Sequence, residues 1–219
     1  MNLGNHPVGA SRRYSAPRLP RAGLRSVARD LRPVAAFRQR GLQSGMKLED
    51  FNAPEAWHEF ADRAEVRYIV QPAGRDYRHA VSAEDVRERL ALLPERFTRA
   101  LEVVQFSGMT RKRQLFPCYG MQWGNAVYLY PIEESLVEVY HRPPTPQQQI
   151  EARMYGGCWS HDGKLWWLTW TEGTIRDFYL NNVLIHEVGH LNDDRNSNSR
   201  DRERFANWFA IEYGYRATR

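Results

Sequence analysis

Two histidines spaced four residues apart, with a glutamate directly after the first, form the segment of this chain best suited to chemistry. His186, Glu187 and His190 belong to the sequence HEVGH. On a helix, residues four apart lie on one face, so both imidazoles can bind one zinc ion. The glutamate then lies beside the open position of the metal, where it can take a proton from water. The spacing therefore predicts a zinc-binding helix with Glu187 as general base.

The apolar residues around this motif predict the helix that carries it. Between about residues 174 and 191 they recur at spacings of three and four, at Phe178, Leu180, Val183, Leu184, Val188 and Leu191. This pattern is typical of a mostly buried helix. Gly189 lies inside it, although glycine costs about 1 kcal/mol relative to alanine in a helix. Either close approach of another backbone or ordinary tight packing would favour glycine there.

A second helix downstream is expected to supply the third ligand that a catalytic zinc site requires. The polar residues from Asn192 to Ser199 predict a loop, and Asn198 or Ser199 is suited to cap the helix that follows. On that helix, Glu203 and Asn207 share a stripe with small residues, which suits a face turned towards a metal. We predict Glu203 as the third ligand and Asn207 as a hydrogen-bond partner of one ligand histidine.

These two segments resemble the gluzincin metallopeptidases. HEVGH, a short polar loop and the sequence ERFANWFA are similar to the ImmA/IrrE type, in which HExGH precedes a helix with an acid ahead of an Ala-Asn-x-Phe-Ala stretch. The resemblance covers residues 174–214. Phe205 stands where family members often carry a glutamate, whereas Glu203 matches the broader Glu-x-x-x-Asn spacing. The resemblance implies a zincin fold, one zinc ion, peptidase activity and, as substrate, a regulatory protein such as a transcriptional repressor.

Other third ligands are compatible with the sequence. Asp193 and Asp194 follow His190 closely enough to reach a metal, although a solvated turn is the simpler role for them. Cys158 resembles the cysteine of peptide deformylases, which use one cysteine and two histidines, and Gln122 precedes it in the expected order. Against this, the deformylase HExDH motif has an aspartate at the position of Gly189, and a cysteine is also a common small buried residue. The sequence alone leaves these alternatives open.

The remaining pattern predicts an α+β, zincin-like fold in which a small antiparallel or mixed sheet packs beside the HExxH helix and a C-terminal helix. Helices are expected over residues 48–64 and from residue 82 to about 101, the second with a kink at Pro94. Strands are expected over residues 65–71 and 103–106, and hairpins over residues 116–130 and 155–171. Residues 141–149 are expected to form a surface loop. The second hairpin carries Trp159, Trp166, Trp167 and Trp170. These tryptophans either fill the core or form an edge above the cleft, where a peptide could add as a strand.

The charge is concentrated at the start of the chain. Residues 1–46 contain nine arginines and one acid, a net charge of +8, whereas the whole chain carries +5 and the rest therefore −3. With four prolines and few periodic apolar residues, residues 1–45 are predicted to be a disordered arm ahead of one domain over residues 46–219. The arm could contact nucleic acid or an acidic partner, target an organelle, or be sequence upstream of a true start at Met46. We favour the last two roles.

Composition places the domain among proteins of a reducing compartment. Its two cysteines, Cys118 and Cys158, do not make a disulfide framework. No apolar run reaches the roughly 18 residues of a membrane span, and no hydrophobic signal segment is present, so a cytoplasmic protein without membrane contact is expected.

The site residues predict a zinc-dependent peptidase that cleaves an internal bond of a protein or peptide. The developing oxyanion needs a second donor, for which Tyr213 is our first candidate, with Tyr215 and His161 as alternatives. Two other functions compete: deformylase-like hydrolysis with Cys158, and a zincin-fold module that binds a protein or nucleic acid and cuts nothing. An intact Glu187 argues against the binding module, because a pure binder needs no base.

Overall fold

The computed structural model describes residues 53–55, 57–59 and 65–219. The arm predicted over residues 1–45 lies outside them. Most of the helix predicted over residues 48–64 lies outside them too, and its described residues are not helical. Pro54, which is one of these, has no backbone N–H to give to a helix.

Nine strands form three sheets in the described part of the chain. They are β1 (Arg67–Val70), β2 (Tyr77–Arg78), β3 (Val103–Phe106), β4 (Gly120–Trp123), β5 (Ala126–Leu129), β6 (Ile132–Glu133), β7 (Val137–Tyr140), β8 (Cys158–His161) and β9 (Trp166–Thr169). The largest sheet has the order β1-β3-β5-β4, a second has the order β7-β9-β8, and β2 pairs with β6.

The described helices lie before, between and after these strands. They are α1 (Ala83–Ala91), α2 (Glu95–Thr98), α3 (Arg111–Leu115), α4 (Pro146–Met154), α5 (Glu172–Phe178), α6 (Leu184–Leu191) and α7 (Ser199–Phe209). A π-helical segment, Tyr179–Val183, joins α5 to α6, and a second one, Ala210–Tyr215, continues α7. The predicted α+β class is confirmed. None of these helices combines the length and the apolar character that a bilayer span needs.

The four-stranded sheet is mixed, as predicted. β3 pairs in parallel with β1 and β5, and every residue of β3 and β5 is buried, which fits their almost continuous apolar sequences. β4 leads through the turn at Gly124 and Asn125 into β5 and pairs with it antiparallel, so the first predicted hairpin is confirmed. Because β4 is paired only with β5, it forms one edge of the sheet.

The second predicted hairpin is also confirmed. β8 and β9 pair antiparallel around Asp162 and Gly163, and the positive φ of 95° at Gly163 explains the glycine. Leu168 and Trp170 are buried against the main core, so these hairpin residues fill the interior. β8 is the outer strand of its sheet.

Two further sequence predictions are wrong. Residues 141–149 do not form only a loop, because α4 begins at Pro146 with a reciprocal cap between Thr145 and Gln148. The helix predicted from residue 82 to about 101 is not kinked at Pro94 but interrupted there. α1 ends at Ala91 and α2 begins at Glu95, since a proline in mid-helix removes a donor and clashes with the preceding turn.

Glycines let the two C-terminal helices approach each other closely. A Cβ built on Gly189 would lie 3.0 Å from the Cα of Ala206 and 3.0 Å from the Cβ of Phe209. One built on Gly214 would lie 1.9 Å from the backbone oxygen of Asn181. The close-approach explanation for Gly189 is therefore confirmed.

Replacing Gly214 with alanine is expected to lower the free energy of unfolding by about 1–3 kcal/mol, because the added methyl group must displace backbone. The control is Gly173→Ala in α5, where an added Cβ meets nothing within 4 Å. There alanine should be neutral or stabilise by up to about 1 kcal/mol. Chemical denaturation measures both changes, and equal stability of the two variants would contradict the packing described here.

Candidate metal centre

The structure brings His186, His190 and Glu203 together. One ligand atom from each lies within 4.8 Å of the others. The carboxylate oxygens of Glu203 are 3.5 Å from His186 Nε2 and 3.4 Å from His190 Nε2. In a tetrahedral zinc site with bonds of about 2.0–2.1 Å, neighbouring ligand atoms are about 3.3 Å apart. His186 faces Oε2 of Glu203 and His190 faces Oε1, and both separations are close to this value, so the cluster could hold a zinc ion.

Helix α6 presents both histidines on one face, and α7 brings the carboxylate to them. The two imidazole rings lie 4.7 Å apart, one helical turn from each other. Glu203 follows an N-terminus that is capped by Asn198, whose side chain accepts from the Asp201 N–H, as predicted. The spacing between the helices depends on Gly189, which lies against α7.

Glu187 is buried between α6 and the edge strand β4. Its side chain is almost fully enclosed, and the backbone of Gln122 in β4 is close enough to act on its carboxylate. A Cβ built on Gly120 would lie 2.9 Å from Glu187 Oε1. A larger residue at position 120 would therefore push the strand away from the carboxylate.

The pairing of β4 with β5 explains why Gln122 faces the helix. Tyr119 accepts from the Tyr130 N–H, and in an antiparallel pair alternate residues direct their N–H and C=O groups towards the partner strand. Met121 and Trp123 accordingly face β5, while the backbone groups of Gly120 and Gln122 point outwards. The outward edge of β4 thus runs past Glu187.

The charges of the cluster act on one another. Desolvation raises the pKa of Glu203, but hydrogen bonds and charge from the two histidines outweigh it and hold the pKa well below its usual range. Burial lowers the pKa of His186, whereas Glu203 and then Glu187 raise it, and the net shift is upwards. Burial raises the pKa of Glu187 despite the opposing charges of His186 and His190. A buried carboxylate with raised proton affinity is suited to accept a proton.

The rival third ligands lie elsewhere. Cys158 is exposed, and its thiol is 3.8 Å from the backbone oxygen of Gly156. Asp193 is buried, and its Oδ1 accepts from both the backbone and the side chain of Asn196. Asp194 is exposed. Of the four candidates, the structure places only Glu203 with the two histidines.

The hydrogen bond predicted between Asn207 and one ligand histidine does not involve Nδ1 of His190. The Nδ1 atom of His190 is buried and has no hydrogen-bond partner among the described residues. The tautomer of His190 is therefore not fixed by a protein group described here.

The candidate oxyanion donors are dispersed. The ring of Tyr213 packs 4.7 Å from Phe97 and 4.6 Å from Phe209, which gives it a role in the core. Tyr215 packs against Tyr155, and His161 lies 4.7 Å from the Trp166 ring. None of the three belongs to the metal-ligating cluster of the described residues. Catalysis by Tyr213 stays a prediction.

Sequence reasoning missed Glu151, a carboxylate on α4. It accepts from Gln147, and the charges of His186 and Glu203 act on it, which places it near the centre. Burial raises the pKa of Glu151. The Thr-Pro-Gln-Gln sequence that begins α4 was the available signal, because it combines a cap residue with a first-turn proline and a glutamine at the third position.

No protein-family model, no curated protein and no solved structure matches this chain. A functional proposal for this chain therefore rests on the geometry of the site.

The purified protein is expected to bind one zinc ion per chain. His186→Ala and His190→Ala should each remove most of the metal, and Glu203→Ala should weaken binding by about tenfold or more, since each loses a direct ligand. Metal analysis with chelator competition measures these losses. Asp194→Ala is the control and should bind zinc normally. Full zinc occupancy in either histidine variant would show that the HExxH motif does not bind the metal.

Thiol labelling separates the two cysteines and tests the cysteine-ligand alternative. Cys158 is exposed, whereas burial raises the pKa of Cys118 to about 11. A disulfide reagent at neutral pH should therefore label one thiol rapidly, and Cys158→Ser should abolish this phase. Adding zinc should leave the rate unchanged. Slower labelling of Cys158 in the presence of zinc would instead show that Cys158 is a zinc ligand.

Proposed function

We propose that this protein is a zinc-dependent peptidase that hydrolyses an internal peptide bond of a protein or peptide. The observation that carries the proposal is a buried glutamate, Glu187, beside a cluster of two histidines and a carboxylate whose spacing fits zinc. A bound zinc ion would polarise the scissile carbonyl and acidify a water molecule. The His-His-Glu donor set is of the kind found in catalytic zinc sites, which leave one position open.

Glu187 acts as the general base in this proposal. Burial raises its proton affinity. It takes a proton from the attacking water and later delivers that proton to the leaving amine. Its own burial and the close packing of Gly120 limit how far the carboxylate can move between these two steps.

The edge of β4 is suited to orient an extended substrate. Gly120 packs against Glu187, and an extended peptide can pair through main-chain hydrogen bonds with the outward backbone groups of Gly120 and the outward C=O of Gln122. Backbone pairing holds a peptide without regard to its side chains. The contact between β4 and the proposed base favours β4 over the tryptophan hairpin as the place where substrate binds.

The zincin fold and the gluzincin type belong to the same proposal. Support comes from a mixed sheet whose edge strand lies against the HExxH helix, and from a glutamate on the next helix. The resemblance to the ImmA/IrrE type adds a regulatory protein, such as a transcriptional repressor, as the suggested substrate. Deformylase-like chemistry lacks comparable support, since Cys158 is outside the cluster.

Glu187→Gln is expected to keep the fold and the zinc but to lose hydrolysis by about 100-fold to 10,000-fold, because the amide cannot accept the proton. Cleavage of a random peptide library, read by mass spectrometry, measures the loss without a known substrate. The matched control is Glu212→Gln, a partly exposed glutamate paired with Arg216. Normal cleavage by the Glu187 variant would rule out this residue as the base.

A further inference from the structure

A small cavity lies beside the candidate metal centre. Its volume is about 50 Å³, and aromatic rings form most of its wall, namely Tyr119, Tyr140, Trp159, Trp170 and Phe178. Glu151 lines it as well, and no lysine or arginine is among the residues that do. The cavity lies between α4, α5 and the three-stranded sheet.

Two connections join the cavity to the proposed catalytic residues. Tyr119, in its wall, directly precedes Gly120, which packs against Glu187. Glu151 is close enough to His186 and Glu203 for their charges to act on it. A substrate residue next to the bond being cut would therefore be within reach of this cavity.

The cavity has a negative electrostatic character. Three of its aromatic wall residues donate to Glu138, which is fully buried and accepts from Tyr119 at 2.9 Å, Tyr140 at 3.1 Å and Trp170 Nε1 at 3.0 Å. Glu151 adds a second carboxyl group at the wall itself. Aromatic faces also attract cations. An acidic side chain would be repelled here, whereas a cation would find both carboxylates and ring faces.

The size of the cavity limits the occupant further. One water molecule needs about 10–15 Å³ on the same measure, so 50 Å³ holds roughly four non-hydrogen atoms. That space fits the end of an unbranched chain and excludes a phenyl or indole ring. A lysine side chain, with its ammonium group on a flexible stem, matches both the size and the charge.

We propose that this cavity is the specificity pocket of the peptidase and that it receives a lysine side chain adjoining the scissile bond, with Glu151 pairing to the ammonium group. The inference rests on the proposed function. It narrows the substrate to proteins or peptides that present lysine in an extended segment.

The test uses pools of synthetic peptides with random flanks and one central position fixed as lysine, norleucine or glutamate. Norleucine has the unbranched shape of lysine without its charge. The zinc-loaded full chain should cleave the lysine pool about tenfold faster than the norleucine pool, with the glutamate pool slowest. Mass spectrometry should map the cleaved bonds next to the fixed lysine.

The variant Glu151→Gln removes the charge and keeps the shape. It should bring the lysine-to-norleucine ratio close to one, while Glu134→Gln, at an exposed position, should keep the wild-type ratio. Tryptophan fluorescence can measure how the uncleaved pools bind to the Glu187→Gln protein. The lysine pool should bind more tightly than the norleucine pool, and the glutamate pool should bind most weakly.

The outcomes distinguish the two proposals. Cleavage without a preference for lysine, or a preference that survives Glu151→Gln, would overturn the pocket assignment and leave the peptidase intact. If the zinc-loaded protein cleaves none of the pools, the peptidase itself is contradicted and the pocket assignment is lost with it.

Discussion

The close approach of α6 and α7 is the contact on which the candidate site depends. The histidines lie on one helix and Glu203 on the other, so a metal can be shared only if the two backbones come close. Gly189 allows this, since any side chain there would meet Ala206 and Phe209. The cost of a glycine within a helix, about 1 kcal/mol, is offset by the packing of α6 against α7.

A second contact, between α6 and β4, places the proposed base. The edge strand packs against Glu187 and helps to bury it, which desolvates the carboxylate and raises its pKa. The proton affinity of Glu187 therefore depends on the sheet as well as on its own helix. Gly120 is the point of contact, and its lack of a side chain sets the distance.

The sequence predicted those parts of the structure that are determined locally. The helix that carries HExxH, the cap at Asn198 and the two hairpin turns depend on short-range signals, and each of them formed as predicted. Glu203 was predicted from its position on a helical stripe, and the fold places it with the histidines. The approach of Glu151 was not predictable, because it depends on α4, whose cap was overlooked in a Pro- and Gln-rich segment, and on long-range packing. Tyr213 fits its aromatic neighbours, a context that a linear pattern does not reveal.

X-ray absorption at the zinc edge of the purified protein tests the central claim most directly, because it identifies the atoms bound to the metal. The account predicts two imidazole nitrogens at about 2.0–2.1 Å, one or two oxygens at about 2.0–2.2 Å and no sulfur. A sulfur shell at about 2.3 Å, or a metal bound without imidazole, would contradict the assignment of His186, His190 and Glu203 as the metal centre.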